Sequence, residues 1–167
     1  LFLRRSAMNE PQAYFNGRIV PASRVAISPV DAGFVQGVTV AEQLRTFGGE
    51  LFHLEDHLLR LEHSLEIIGV DPRLDRPAMV RIARELVAAN HPLLGPGDDL
   101  GLSIFVTPGL YAGYGDAGPT GPTVCLHTYP LAFQLWADKY RKGQSLVTGS
   151  IRQVPPECWP PGVKCRS

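Results

Sequence analysis

No apolar run in the chain approaches the roughly 18 to 20 residues that a membrane-spanning helix needs. Charge of one sign is missing too: 16 Lys and Arg balance 16 Asp and Glu. There is therefore none of the basic excess by which a protein holds a nucleic-acid backbone. Cysteine is scarce. The three present, Cys125, Cys158 and Cys165, are odd in number and contain no C-x-x-C pair. That argues against a disulfide framework or a zinc ribbon and reads as free thiols in a reducing cytoplasm, with a Cys158–Cys165 bridge as the alternative. The opening LFLRRSA has an apolar core too short for a secretory signal. Met8 then stands as a candidate initiator, and residues 1 to 12 as a poorly ordered extension. No internal repeat is present.

The 167 residues, 44% apolar and 19% charged, fit a soluble domain and a fraction of another. Residues 13 to 20, AYFNGRIV, predict two short strands around an Asn16-Gly17 turn. Residues 25 to 30 read as a strand running into a turn. Residues 38 to 47 read as a strand, or in part as a helical turn, and Gly48-Gly49 folds it back into Glu50-Leu51-Phe52. Leu54, Leu58, Leu61, Leu65 and Ile68 recur at helical spacing, which predicts a helix over 54–68 closed by Gly69 and Pro72. A second helix, 76–90, has Asp75 as N-cap and Pro77 in its first turn. Residues 101–107 and 123–129 are further strands. Past Pro130 the texture changes: one strand is expected at 145–154, then PPECWPPG, whose four prolines forbid a packed element. The fold class is α+β, an antiparallel sheet with two packed helices. It divides into a small domain over 13–130 and a linker with the incomplete start of a second domain over 131–167.

The chemistry-bearing residues each have an ordinary reading. GYGDAG, residues 113–118, matches G-x-G-x-x-G, but Pro119, Gly121 and Pro122 forbid the helix that a dinucleotide site requires, leaving a loop. His53 and His57 stand four apart, as metal ligands on a helix do. HLEDH lacks the glutamate of H-E-x-x-H and no third ligand is near in sequence, so no metal site is assigned. Arg60 lies at the edge of the leucine stripe, either in an i,i+4 pair with Asp56 or as a boundary guanidinium that binds a phosphate. Lys164, after a proline-rich segment, reads as a solvated tail lysine.

Taken as a set, YFNGRIV and ISPVDAGFVQGVTVAEQLRTFGGELFHLEDHLLRLEHSLEIIGV resemble the N-terminal domain of class IV (fold type IV) pyridoxal-phosphate enzymes. These are the branched-chain and D-amino-acid aminotransferases and the aminodeoxychorismate lyases. The shared pattern is an NG hairpin, D-x-G-F-x-x-G, a Glu inside the next strand, a G-G turn and H-L-x-R-L-x-x-S on a helix. The resemblance implies that Arg60 contacts the phosphate of pyridoxal 5'-phosphate. It implies that Lys164, in GVKCRS, holds the cofactor covalently and carries protons. It places Ala41, Gln43 and Arg45 along the substrate pocket.

The departures are an alanine, Ala41, where relatives carry an aromatic residue, Gln36 at another such position, and VTPG where D-amino-acid enzymes have V-T-R-G, so that Pro108 replaces an arginine. In the family a glutamate some thirty residues past the lysine pairs with the ring nitrogen, and the phosphate-binding amides come from the later domain. This chain therefore reads as an N-terminal part, expected to be inactive in isolation. The expected parent activity is amino transfer between an amino acid, branched-chain-like, and a 2-oxo acid, in a cytoplasmic homodimer that binds neither nucleic acid nor membrane. The alternatives are lyase chemistry on aminodeoxychorismate and a non-catalytic interaction domain.

Overall fold

The structure, a computed structural model, describes residues 10–114, 121–152 and 154–165. Its first hairpin pairs β1 (Gln12–Phe15) with β2 (Arg18–Pro21). Asn16 and Gly17 both take positive φ, 46° and 90°, the turn whose twist suits two antiparallel strands. β1 begins at Gln12, inside the expected extension, and the Glu10 carboxylate accepts from the Ser23 amide.

No strand forms over 25–30. Pro29 has no N–H to give a ladder, and Ser28 instead closes a turn that accepts from Asp31 N–H. The chain then enters an unexpected short helix, α1 (Ala32–Val35), capped by the Asp31 carboxylate on Gly33 N–H at 2.7 Å. β3 (Val40–Phe47) follows, entirely as strand, and turns through Gly48 and Gly49 into β4 (Glu50–Leu51).

The helices α2 (Leu54–Ile68) and α3 (Arg76–Asn90) have the predicted bounds. Gly69 closes α2 at φ 71°, and Asp75 caps α3 by accepting from Ala78 N–H at 2.8 Å. β5 (Leu100–Thr107) and β6 (Thr123–Pro130) complete one antiparallel sheet in the order β2-β1-β6-β5-β3-β4. Beyond it come a single 3-10 turn and a four-residue helix, α4 (Lys139–Lys142). The strand expected at 145–154 is not formed. Its described residues are exposed and irregular, with Leu146, Val147 and Ile151 unpacked, and among the described residues none of them pairs with a strand. Most of the GYGDAG stretch lies outside the described residues.

The two helices cover one face of the sheet. Leu58, Leu61 and Leu65 of α2 and Met79, Ile82 and Leu86 of α3 pack on Val40, Leu44, Leu102, Ile104 and Leu126. Each such buried side chain contributes about 1.5–3 kcal/mol by leaving water. The opposite face carries a smaller cluster, Ala41, Phe105 and Cys125, with Phe15 and Val25 against it. Asn90 ties α3 to the sheet: its amide donates to Gln12 O and Thr128 Oγ1, both at 2.7 Å, and accepts from Gln12 N–H.

Two consequences of this topology matter for function. β4 pairs only with Thr46 and Phe47, so the first half of β3 presents an open edge. Side chains alternate along β3, so Val40, Glu42, Leu44 and Thr46 face the helices while Ala41, Gln43 and Arg45 face away. Among the described residues no helix is long and apolar enough to cross a membrane.

Candidate active site

Cross-strand register places Glu42 at the end of the row Tyr14–Leu126–Ile104–Glu42, a carboxylate where the rest of the row is core. Its side chain is fully buried. A buried ion persists only if it is paired and hydrogen-bonded. α2 supplies the partners. His57, Arg60 and Ser64 follow one another at spacings of three and four, forming a polar line beside the leucine stripe.

Arg60 meets Glu42 side-on, with Nε donating to Oε1 and Nη2 to Oε2, both at 2.6 Å. His57 Nδ1 lies 2.8 Å from Oε2. Burial pushes the Glu42 carboxyl upward. The hydrogen bonds from Arg60 and His57, with the charges of Lys164 and Arg60, outweigh it and hold the group below the usual carboxylate range. The same pair raises Arg60. The i,i+4 partner expected for Arg60, Asp56, is instead taken by His53 Nδ1 at 2.6 Å.

Lys164 reaches this carboxylate from the far end of the chain. The segment after Gly162 lies along the open edge of β3: Val40 bridges Cys165, and Ala41 N–H donates to Lys164 O at 3.2 Å. On its other side Lys164 N–H donates to Ser64 Oγ at 3.2 Å, and that hydroxyl donates to Arg60 O at 2.8 Å. Both backbone polar groups of Lys164 are thus held, one by the helix and one by the sheet. Its Nζ donates to Ala41 O at 2.7 Å and sits 3.5 Å from Glu42 Oε2. The lysine is therefore fixed against the core, not solvated in a tail.

The structure brings Arg60 and Lys164 together through Glu42. Ala41 meets the lysine through its carbonyl, while its side chain is buried against Phe105 and Cys125. Gln43 is exposed on that same far face. Arg45 lies toward the other end of β3, its guanidinium 3.9 Å from the Phe47 ring centre and 3.8 Å from Asp99 Oδ2. Glu42, His57 and Ser64 are the members that sequence reasoning does not find as site residues. The legible signal for Glu42 is a charge on the apolar register of β3. Among the described residues no cluster of three His, Cys, Asp or Glu side chains suits a metal.

A cleft of about 530 Å³ opens on the other face, lined by Ile27, Pro29, Phe34, Thr39, Phe105 and Thr107. It begins one residue from Val40, where the Lys164 segment joins the sheet.

Residues 39–167 match the family model for amino-transferase class IV. The chain belongs to this family. A D-alanine aminotransferase of Bacillus licheniformis is 35% identical over 137 residues, covering 80% of this chain and 45% of that protein. A putative branched-chain-amino-acid aminotransferase of Methanocaldococcus jannaschii is 28% identical, over 90% of this chain and 50% of its own. Among solved structures, the branched-chain aminotransferase of the thermophilic archaeon Thermoproteus uzoniensis with norvaline superposes with a TM-score of 0.73 at 24% identity, covering 93% of this chain and 51% of that one. That likeness shows the fold. This class IV chain spans about half the length of the relatives it matches.

Proposed function

We propose that this chain carries one side of the active site of a pyridoxal-phosphate-dependent aminotransferase. In this reading Lys164 is the residue that joins the cofactor's aldehyde and Arg60 is a ligand of its phosphate. The observation that carries the reading is the convergence of Arg60 and Lys164 on the single buried carboxylate of Glu42.

The residues suit such a group. A guanidinium has five N–H donors, and a side-on pair uses only two. The outer edge of Arg60 keeps three donors, the fork that meets two oxygens of a phosphate. Half of the Arg60 side chain and 39% of that of Lys164 remain open to solvent. Two fixed cations around one carboxylate leave a net positive field for an anionic ligand.

Bound there, the cofactor would supply an electron sink for the bond-breaking steps at the substrate α-carbon. The chain's own contribution is positional. Glu42 fixes Arg60 without exhausting its donors. Ser64 and Ala41 fix the lysine backbone, so that Nζ is the mobile part of a rigid residue and can carry a proton over a short distance. The reaction is amino transfer between an amino acid and a 2-oxo acid. The largely apolar cleft supports an aliphatic amino acid as donor; the two relatives are named for D-alanine and for branched-chain amino acids.

The test is chemical trapping. The full chain is incubated with pyridoxal phosphate, reduced with borohydride and mapped by mass spectrometry. Label on Lys164, lost in K164A, is expected. Arg60 is read by comparing pyridoxal phosphate with pyridoxal, which lacks the phosphate. R60A should weaken trapping of the former roughly 10- to 100-fold more than trapping of the latter, the scale of a charge-assisted hydrogen bond, which separates the phosphate contact from any effect on Lys164 through Glu42. Folded chain with no label on Lys164 would sink the proposal.

A further inference from the structure

His57 shares the Glu42 carboxylate with Arg60 and Lys164. Oε2 of Glu42 receives Arg60 Nη2 at 2.6 Å and His57 Nδ1 at 2.8 Å. Nη2 and Nδ1 themselves are 3.4 Å apart, as two donors around one acceptor are. A carboxylate oxygen offers two lone-pair directions in its plane, and these two donors fill them. Lys164 Nζ keeps an ion-pair contact at 3.5 Å from Oε2 but directs its hydrogen bond to Ala41 O at 2.7 Å.

This exclusion has a chemical meaning. An ammonium bonded directly to a carboxylate holds its proton most firmly, because that contact favours the charged form. A lysine that must attack an aldehyde and later move a proton has to give that proton up. From this geometry we propose that His57 is a positioning residue: its Nδ1–H occupies the second lone pair of Glu42 Oε2 and leaves the Lys164 ammonium in a 3.5 Å ion pair instead of a direct hydrogen bond to the carboxylate, so that its proton is held less firmly than that hydrogen bond would hold it. The charged groups around the carboxylate are Arg60 on α2 and Lys164 on the closing segment, so the arrangement is two hydrogen-bond donors, Arg60 and His57, on Oε2 and the lysine in ion-pair contact only. This rests on the reading of Lys164 as the reactive lysine. It goes beyond it by assigning a task to a histidine that touches neither substrate nor cofactor in that reading.

The experiment measures the amine directly and needs no cofactor. The full chain is treated with trinitrobenzenesulfonate across a pH series, and the arylation of Lys164 is followed by peptide mass spectrometry. Exposed Lys139 serves as the internal reference. H57F removes the donor and keeps a ring. H57N restores a donor near the Nδ1 position.

Expected is a roughly threefold to tenfold slower labelling of Lys164 relative to Lys139 in H57F, a profile displaced toward alkaline pH, and recovery in H57N. A folded H57F with an unmoved profile overturns the proposal, as does H57N behaving like H57F. Should circular dichroism show H57F unfolded, H57Q carries the test, since its amide lies where Nε2 does: slowed labelling supports the proposal, unchanged labelling overturns it. A displaced profile in H57F combined with no cofactor trapping at Lys164 would retain this role for His57 and reject the cofactor assignment, so the two failures are distinguishable.

Discussion

Arg60 grips Glu42 side-on, Nε to Oε1 and Nη2 to Oε2, each at 2.6 Å, across 18 residues of sequence. The carboxylate is fully buried and the guanidinium half open. Removing the exposed guanidinium would strand the buried charge, whereas removing the carboxylate leaves cations that water already reaches. E42Q keeps the shape but leaves Arg60, His57 and Lys164 facing an amide, and is expected to destabilise the fold by about 1–3 kcal/mol in urea at neutral pH. The pH sign follows from the carboxyl being held low in the folded state. Its contribution is present above the ordinary carboxylate value and fades as pH falls through the lowered folded one. The gap between wild type and E42Q should narrow in acid. A gap that stays constant into acid contradicts this account.

A second buried carboxylate anchors the β3–β4 turn. Asp99 accepts from Thr46 Oγ1 at 2.7 Å, from Gly49 N–H at 3.0 Å and from Gly48 N–H at 3.1 Å. Burial raises its carboxyl, but these donors and the Arg45 charge bring it below its usual range. D99A removes the shared acceptor of two turn amides and a hydroxyl, so a loss of about 1–3 kcal/mol is expected. Amide hydrogen exchange locates the effect: Gly48 and Gly49 should lose protection before the middle of β5 does. Uniform loss across the sheet would show that Asp99 does not act on the turn.

The parts of the fold that are legible in the sequence are those whose cause is local. α2 and α3 carry their apolar stripes, caps and terminating glycine within a few residues, and their ends fall where those signals stand. The Asn16-Gly17 and Gly48-Gly49 turns are local in the same way. Arg60 stands out as a boundary residue, yet its partner does not. Glu42 lies 15 and 18 residues from His57 and Arg60, on a strand whose facing depends on its register. Lys164 carries no signal in composition or spacing, because its setting is made by β3's open edge and by Ser64, 100 residues away. Residues 145–154 show the converse. Their strand propensity is real, but a strand needs a partner, and among the described residues none pairs with them.

Two glycines at positive φ should respond very differently to alanine. Gly48 has φ 59° and open space where a Cβ would stand. G48A should cost about 1–2 kcal/mol, the strain of a left-handed residue. Gly109 has φ 87°, and a Cβ there would overlap the Gly121 carbonyl, which is backbone and cannot swing aside. Its own carbonyl also accepts from Ala32 N–H at 2.7 Å, tying α1 to the end of β5. G109A should therefore destabilise by clearly more than G48A, and thermal melts of the two variants compare them directly. Equal losses would mean that the 121–122 backbone gives way.

Cys125 offers a probe of whether the far face of the sheet opens locally. Its thiol is fully buried between Ala41 and Phe105, and burial pushes it up to about 12. Thiolate is the reactive form, so a rise of this size cuts the reactive fraction roughly a thousandfold at neutral pH, before access is counted. Cys158 is exposed and Cys165 half-buried. Iodoacetamide applied to the native chain should modify Cys158 first and leave Cys125 untouched. Cys125 should become reactive only at the urea concentration where the β-sheet signal is lost, because β6 is an interior strand paired on both sides and cannot detach without the sheet. Modification of Cys125 in the native range would show that β1 and β2 peel away from β6 independently of the helix-covered core.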